Sequence, residues 1–285
     1  MSIEITTLSK QDLDQYMDLV RAGFGAELGK RGTNISGIGR MAALMLSCNS
    51  LPLRLIELLT GRGLFALVAK DGPRVVGILT VLKKKVPILI GAYVLEDYRR
   101  SGVALGLVQE ALVRLEGQGY AEVQGAVFDH RAQLLVERAG FAPYDHIDLY
   151  QRSLPTGILA PAGAAVQRAH RGGLPRNPYD LGMLNIFTGV RVRNMVVHSG
   201  GEETIAGTLI ALPHQTVAEV QPRCLTLGRE DTFYALLSFA DEWFSNLGRS
   251  MISVSLQDDT ASLADLLTRA GFVKRHSWVK MRIEL

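Results

Sequence analysis

Tyr98-Arg99-Arg100-Ser101-Gly102-Val103-Ala104-Leu105 joins an apolar run to an amphipathic run, and the fold turns on that junction. Upstream, Val86 to Leu95 are ten uncharged, mostly apolar residues. That length is too short to cross a bilayer and suits a strand buried on both faces. Downstream, Ala104, Leu107, Val108, Ala111, Leu112 and Leu115 recur at helical spacing, so a strand passes through a basic, glycine-containing turn into a helix. The first turn of such a helix carries N–H groups without acceptors and the positive end of the dipole, which favours a phosphate or pyrophosphate there. No Gly-Lys-Ser/Thr follows, and Gly102 and Gly106 lack the companion glycine of a G-x-G-x-x-G turn, so Walker and dinucleotide loops are excluded.

Composition sets the outer bounds. The chain has 285 residues, enough for one large domain or two ordinary ones. Lys+Arg 31 against Asp+Glu 28 gives a net charge of +3, which offers no argument for a nucleic-acid partner. Cys48 and Cys224 lie far apart without metal-ligand spacing. Together with an N-terminus lacking a signal-peptide form and no membrane-length apolar run, they predict a cytoplasmic protein with no membrane partner and no metal.

Taken in order, Ile3 and Ile5 alternate as a short strand, and Ser9 followed by Asp12 opens a helix that the pattern ends near Gly23 and Gly25. A second helical region from Gly37 to Gly63 is rich in Met and Leu and broken near Pro52. Leu64–Ala69 and Arg74–Leu82 read as strands joined across Lys70-Asp71-Gly72-Pro73, and Lys83-Lys84-Lys85 precede the apolar strand as a solvated turn. After the central helix come a strand over Ala121–Phe128, a helix over Arg131–Ala139 closed by Gly140-Phe141, and a β-rich run over Ile147–Arg152.

Arg99, Gly102 and Ala104 satisfy Q/R-x-x-G-x-G/A, and Asp129-His130-Arg131-Ala132 leads to a helix ending in Gly140-Phe141. In these motifs and in element order the chain resembles the GNAT superfamily of N-acetyltransferases over residues 1 to 152. The resemblance implies a mixed, mainly antiparallel central sheet flanked by helices, an α/β (α+β) fold. It also implies acetyl-CoA as co-substrate, held along Tyr93, Val94 and Leu95 and by the loop Arg99, Arg100, Ser101, Gly102, Val103 and Ala104, with Asp129 as a further contact.

The second half repeats the first. Leu135–Phe141 recurs as Leu266–Phe272 at an offset of 271 − 140 = 131, and the strand around Gly77 returns around Gly207 at 207 − 77 = 130. A helix through Leu236, Ala240 and Phe244 and the strand Met251–Leu256 follow in the expected order, with Trp278–Leu285 in the place of the final strand. Two tandem acyl-CoA N-acyltransferase-like domains are therefore expected: 1–153 with the acyl-CoA loop, a Pro- and Gly-containing linker 154–180, and a degenerate copy 181–285. Where the first copy has its loop, the second offers Leu225-Thr226-Leu227-Gly228-Arg229-Glu230-Asp231, and two acids there would repel a pyrophosphate.

The expected activity is transfer of an acetyl group from acetyl-CoA to a primary amine of a small molecule or peptide, with the chemistry in the first copy. The tyrosine that protonates the thiolate in much of the family is Val136 here. That leaves His130, Glu96 and Tyr93 as candidates for proton transfer, and a non-catalytic acyl-CoA-binding protein as the alternative. The sequence does not indicate an oligomeric state.

Overall fold

The computed structural model describes residues 3–30, 63–127, 129–168, 190–199, 202–212, 215–222, 230–257 and 263–285. The Met-rich region expected from Gly37, both cysteines and the loop from Leu225 to Arg229 lie outside the described residues. The described residues up to His146 together with Trp278–Leu285 form one compact unit, and the described residues within Ile147–Ser277 belong to the other.

In the first unit, β1 (Ile3–Thr7) leads through a 3-10 turn, Lys10–Asp12, into α1 (Leu13–Lys30). Then come β2 (Gly63–Asp71), β3 (Arg74–Lys83), β4 (Ile88–Val94), α2 (Val103–Glu116), β5 (Glu122–Val127), α3 (His130–Arg138) and the start of β6 (Ala142–Ser153). β1, β2, β3 and β4 pair antiparallel in sequence order, and β4 then pairs parallel with β5. Strand alternation sorts the core onto two faces. Leu67, Leu79 and Val81 pack with Leu107, Ala111 and Leu115 of α2, while Val68 and Ile78 pack with Tyr16, Met17 and Val20 of α1.

The β2–β3 turn is Gly72-Pro73, with Gly72 at φ +57°. A proline cannot follow at positive φ, so the turn is of type II′. Helix α1 does not stop at Gly23 as the pattern suggested. A Cβ on Gly23 would lie 2.4 Å from Tyr93 Cδ2, so the glycine is there to let the Tyr93 ring seat against the helix. Gly91 does the same for Phe24, whose Cζ would be 2.8 Å from a Cβ.

The second unit contains β7 (Ala165–Arg168), β8 (Arg191–Ser199), β9 (Glu202–Ala211), β10 (Val217–Pro222), α4 (Glu230–Asn246), β11 (Met251–Gln257) and α5 (Ala264–Arg269). Phe233, Leu236, Leu237, Ala240 and Phe244 of α4 are buried against Met195, Leu209, Val220, Ile252 and Val254. The described part of the segment 154–180 expected as a linker, residues 154–168, contributes to this unit. Thr156 N, Thr156 Oγ1 and Gly157 N donate to Asp241 Oδ2 at 2.7, 2.8 and 3.1 Å, and Ala165–Arg168 form the edge strand.

Both Gly-Phe sequences are helix C-caps. Gly140 and Gly271 adopt φ +97° and +79°, and the Phe141 and Phe272 amides donate back to Val136 and Leu267 carbonyls at 3.0 and 2.9 Å. This is the Schellman arrangement, with the following phenylalanine buried.

The final strands depart from simple sequence order. Ile147–Ser153 of β6 pair antiparallel with β11, and Val279–Glu284 of β12 (Val273–Glu284) pair antiparallel with β5. Trp278–Leu285, expected to close the second copy, thus belong to the first unit. Their alternation explains the fit, because Val279, Met281 and Ile283 enter the α2 core and Met281 is fully buried.

Asp12 closes the 3-10 turn. It accepts from Ser9 N and Ser9 Oγ and pairs with Lys70 Nζ at 2.6 Å. Burial pushes its carboxyl up, but the hydrogen bonds from Lys70 and Ser9 outweigh burial and leave it below the ordinary value. A depressed carboxylate contributes stability above its unfolded pKa, and that contribution is lost as pH falls through the folded value. Wild type should therefore lose stability more steeply than Asp12→Asn as pH drops below about 4, in urea melts taken across that range. Met281→Ala should destabilise the first unit by about 2–5 kcal/mol, read as lost hydrogen-exchange protection in β5 with β10 and β11 unaffected.

Candidate functional site

Strand β4 parts from β5 early. The parallel pairing covers Ile88↔Gln124 and Leu89↔Gly125, whereas β4 stays paired with β3 as far as Gly77↔Val94. A bulge opposite Thr80 and Val81 exposes Ile90 at the point of divergence. The apolar run expected to be buried on both faces is buried in part: within β4, Leu89 and Val94 are buried while Ile90 is exposed.

Hydrogen-bond direction decides what that edge offers. Leu95 N donates to Val76 O at 2.9 Å, so by antiparallel alternation the backbone groups of Leu95 and Tyr93 face β3. Those of Ala92 and Val94 face the opening. The Val94 carbonyl accepts from Arg99 Nε at 3.1 Å, which leaves the Val94 N–H and both Ala92 groups along the edge. Of the three strand residues singled out by resemblance, Val94 alone presents a backbone donor there. Ala92 was missed because register is set by the bulge, which no sequence signal marks.

A short 3-10 turn, Glu96–Tyr98, follows. Tyr98 is buried, its hydroxyl donates to Asp71 Oδ2 at 2.9 Å, and the Arg74 guanidinium lies 5.8 Å from its ring centroid. The hydrogen bond to Asp71 raises the Tyr98 phenol above its ordinary value, so this side chain anchors the loop with its proton in place. Arg100 and Gly102 take φ +63° and +85°, and Ser101 Oγ donates to Tyr98 O at 2.5 Å. The first bond of α2 runs from Gly106 N to Gly102 O, so the amides of Val103, Ala104 and Leu105 have no acceptor within the helix. A Cβ on Gly102 would meet nothing within 4 Å, so conformation and not crowding calls for glycine there.

Arg99 bridges loop and strand. Besides its bond to Val94 O, its Cζ lies 5.5 Å from the Tyr93 ring centroid and Nη2 approaches Tyr93 Oη at 3.4 Å. Glu96, almost fully exposed, lies 3.7 Å from Arg99 Nη1. Tyr93 is half-buried on the α1 face, edge-on to Phe24 at 6.4 Å.

Asp129 is the N-cap of α3, its Oδ1 accepting from Arg131 N at 2.8 Å, and His130 is the exposed first residue of that helix. Because β4 and β5 are parallel, their C-terminal ends share one end of the sheet, which brings Arg99–Ala104 and His130 to the same end. Val136 packs into the α2 core and offers no proton there. Among the described residues no cluster of His, Cys, Asp and Glu is arranged to hold a metal.

Residues 46–141 match the family profile described as Acetyltransferase (GNAT) family. That stretch is about a third of the chain. No curated protein matches it by sequence. Its fold is similar to that of a tandem GNAT protein from the clavulanic acid biosynthesis pathway, at 16% identity and TM-score 0.65 over 99% of this chain and 98% of that one. A GCN5-related N-acetyltransferase from Sphaerobacter thermophilus aligns at 16% identity and TM-score 0.67 over 99% and 95% of the two chains. A putative acetyltransferase from Pyrococcus horikoshii aligns at 10% identity and TM-score 0.60 over 99% and 89%. At these identities the likeness is one of fold, and it spans both repeats.

Within this GNAT fold the Gly102 conformation is a direct point of test. Gly102→Ala forces a Cβ into left-handed backbone and should lower stability by about 1 kcal/mol, seen as a small fall in Tm. The loop amides should lose their alignment at the same time, so CoA titrated calorimetrically should bind at least tenfold more weakly.

Proposed function

We propose that this chain is an acetyl-CoA-dependent N-acetyltransferase acting on a primary amine, with its chemistry in the first unit. The observation that carries this is the open edge of β4 running into a helix whose first amides are unsatisfied. Among the described residues of the second unit, β10 stays paired with β11 over Val217–Val220, four of its six residues. Its helix α4 also begins with Glu230, whose carboxylate is held by Arg269 at 2.5 and 3.0 Å, an ion pair at the start of the helix that corresponds to α2.

In this reading the Arg100–Ala104 backbone binds the pyrophosphate, with amides 103–105 the ones geometry leaves available. Val94 N–H and the Ala92 groups pair with the pantetheine arm as a missing strand would, and hold the thioester carbonyl polarised. The amine nitrogen attacks the thioester carbonyl carbon, the carbon–sulfur bond breaks, the nitrogen gives up a proton and the sulfur gains one. His130, at the end of β5 and open to solvent, is the favoured proton carrier. Tyr93, with its hydroxyl beside Arg99, and Glu96 are the other candidates, and Asp129 positions His130 by capping α3. The alternative, acyl-CoA binding without turnover, draws on Val136 filling the place of the usual tyrosine with a packed apolar side chain.

Thiol release from acetyl-CoA over a panel of small-molecule and peptide amines separates the two, since binding without release for every amine supports only the alternative. His130→Ala should lower kcat about 100-fold with little change in KM for acetyl-CoA, and undiminished turnover would remove it from the mechanism. Placing a carboxylate in the first-unit loop by Ala104→Glu should abolish CoA binding, whereas Glu230→Gln should leave it unchanged.

A further inference from the structure

Four arginines from three separate segments meet in the second unit. Arg191 and Arg193 lie two apart on β8, and Arg168 of β7 stands opposite Met195, one alternation further along the same face. That face is the one covered by α4, because Met195 is buried in the α4 core and the Arg193 Cζ lies 4.6 Å from the centroid of Trp243. Arg249, in the turn leaving α4, completes the group and donates from Nη1 to the Gln215 carbonyl.

Three features separate this cluster from an ordinary solvated surface. None of the four guanidiniums has a carboxylate partner among the described residues, whereas half-buried Lys70 pairs with Asp12 and half-buried Lys280 with Asp145. Arg193 and Arg249 are half-buried, and Arg249 Nε is buried without any acceptor. Burial first, then the charges of Arg168 and Arg191, hold Arg193 below the ordinary arginine value, and burial and Arg191 do the same to Arg249. Gathering unpaired, partly desolvated cations costs free energy unless an anion joins them.

We infer that Arg168, Arg191, Arg193 and Arg249 form a binding site for a small phosphate-bearing ligand, distinct from the loop of the first unit. Guanidinium forks match phosphate oxygens in pairs. Neighbouring strands are about 4.8 Å apart, and residues two apart on a strand about 7 Å. The cluster therefore spans one or two phosphates, not an extended polyanion, in keeping with a net charge of only +3 for the whole chain. The indole of Trp243 beneath Arg193 provides a reporter at the site.

Inorganic pyrophosphate is the probe, titrated into the full chain at constant ionic strength while tryptophan emission is followed. Because Trp243 lies under Arg193, binding at this site changes its emission, and Trp243→Phe separates that change from any at Trp278 of the first unit. The response should saturate, should disappear in Trp243→Phe, and should require about tenfold more pyrophosphate or worse in Arg168→Gln/Arg191→Gln. Both of these arginines are exposed, so the double variant keeps its fold, and Arg191→Lys should retain an intermediate response. No saturable emission change beyond that of sodium chloride, or an unaltered midpoint in the double variant, would overturn the assignment. Gly102→Ala should leave the midpoint unchanged, which keeps this site separable from the proposed acetyl-CoA site.

Discussion

The pairing of β4 with β5 ends two residues after it begins, and the arrangement of the first unit follows from that interruption. A strand that leaves its neighbour exposes backbone groups that water, protein or ligand must satisfy. Strand β4 can do so because its other edge is held by β3 and its side chains are held by α1, where Gly23 and Gly91 admit the rings of Tyr93 and Phe24. Strand β5 can do so because β12 runs along its opposite edge for six residues, Val279 to Glu284. The opening is therefore bordered by elements anchored from behind. Its polar edge continues into the turn fixed by the Tyr98–Asp71 hydrogen bond and ends at the free amides of α2.

The two repeats diverge at this same place. They share the Schellman caps at Gly140 and Gly271 and the same order of strands around one long helix. In the second unit the corresponding strands stay paired for longer, and the helix that follows begins with a carboxylate neutralised by Arg269. Among the described residues, one copy leaves strand edge and helix amides open where the other has longer strand pairing and an ion pair. A duplicated fold can in this way hold two different polar environments without a change of architecture.

What the sequence disclosed follows how local each signal is. The switch from an apolar run to helical spacing across Gly102 needs no distant partner, so strand, turn and helix were legible, as were the Gly72-Pro73 turn and the two Gly-Phe caps. Gly23 was misleading because a glycine that makes room for Tyr93 looks the same in sequence as one that ends a helix. The register that turns Tyr93 and Leu95 toward β3 depends on a bulge, and the exchange of final strands depends on which sheet accepts Met281. Neither is encoded nearby. The arginine cluster spans residues 168 to 249 with no spacing rule, so it emerges only when β7, β8 and the end of α4 are brought together.

The course of β12 also has a consequence in time. Synthesis is vectorial, and domains near the N-terminus ordinarily fold before the rest has left the ribosome. Here the unit that carries the opening cannot complete its sheet until residues 279–284 have been made, because they cover the far edge of β5. The first unit is thus finished only after the second has been translated, across a long loop closure. A product that stopped short of residue 279 would leave β5 with a bare edge and an incomplete core, so this topology ties the first-unit site to strand residues translated after the second unit.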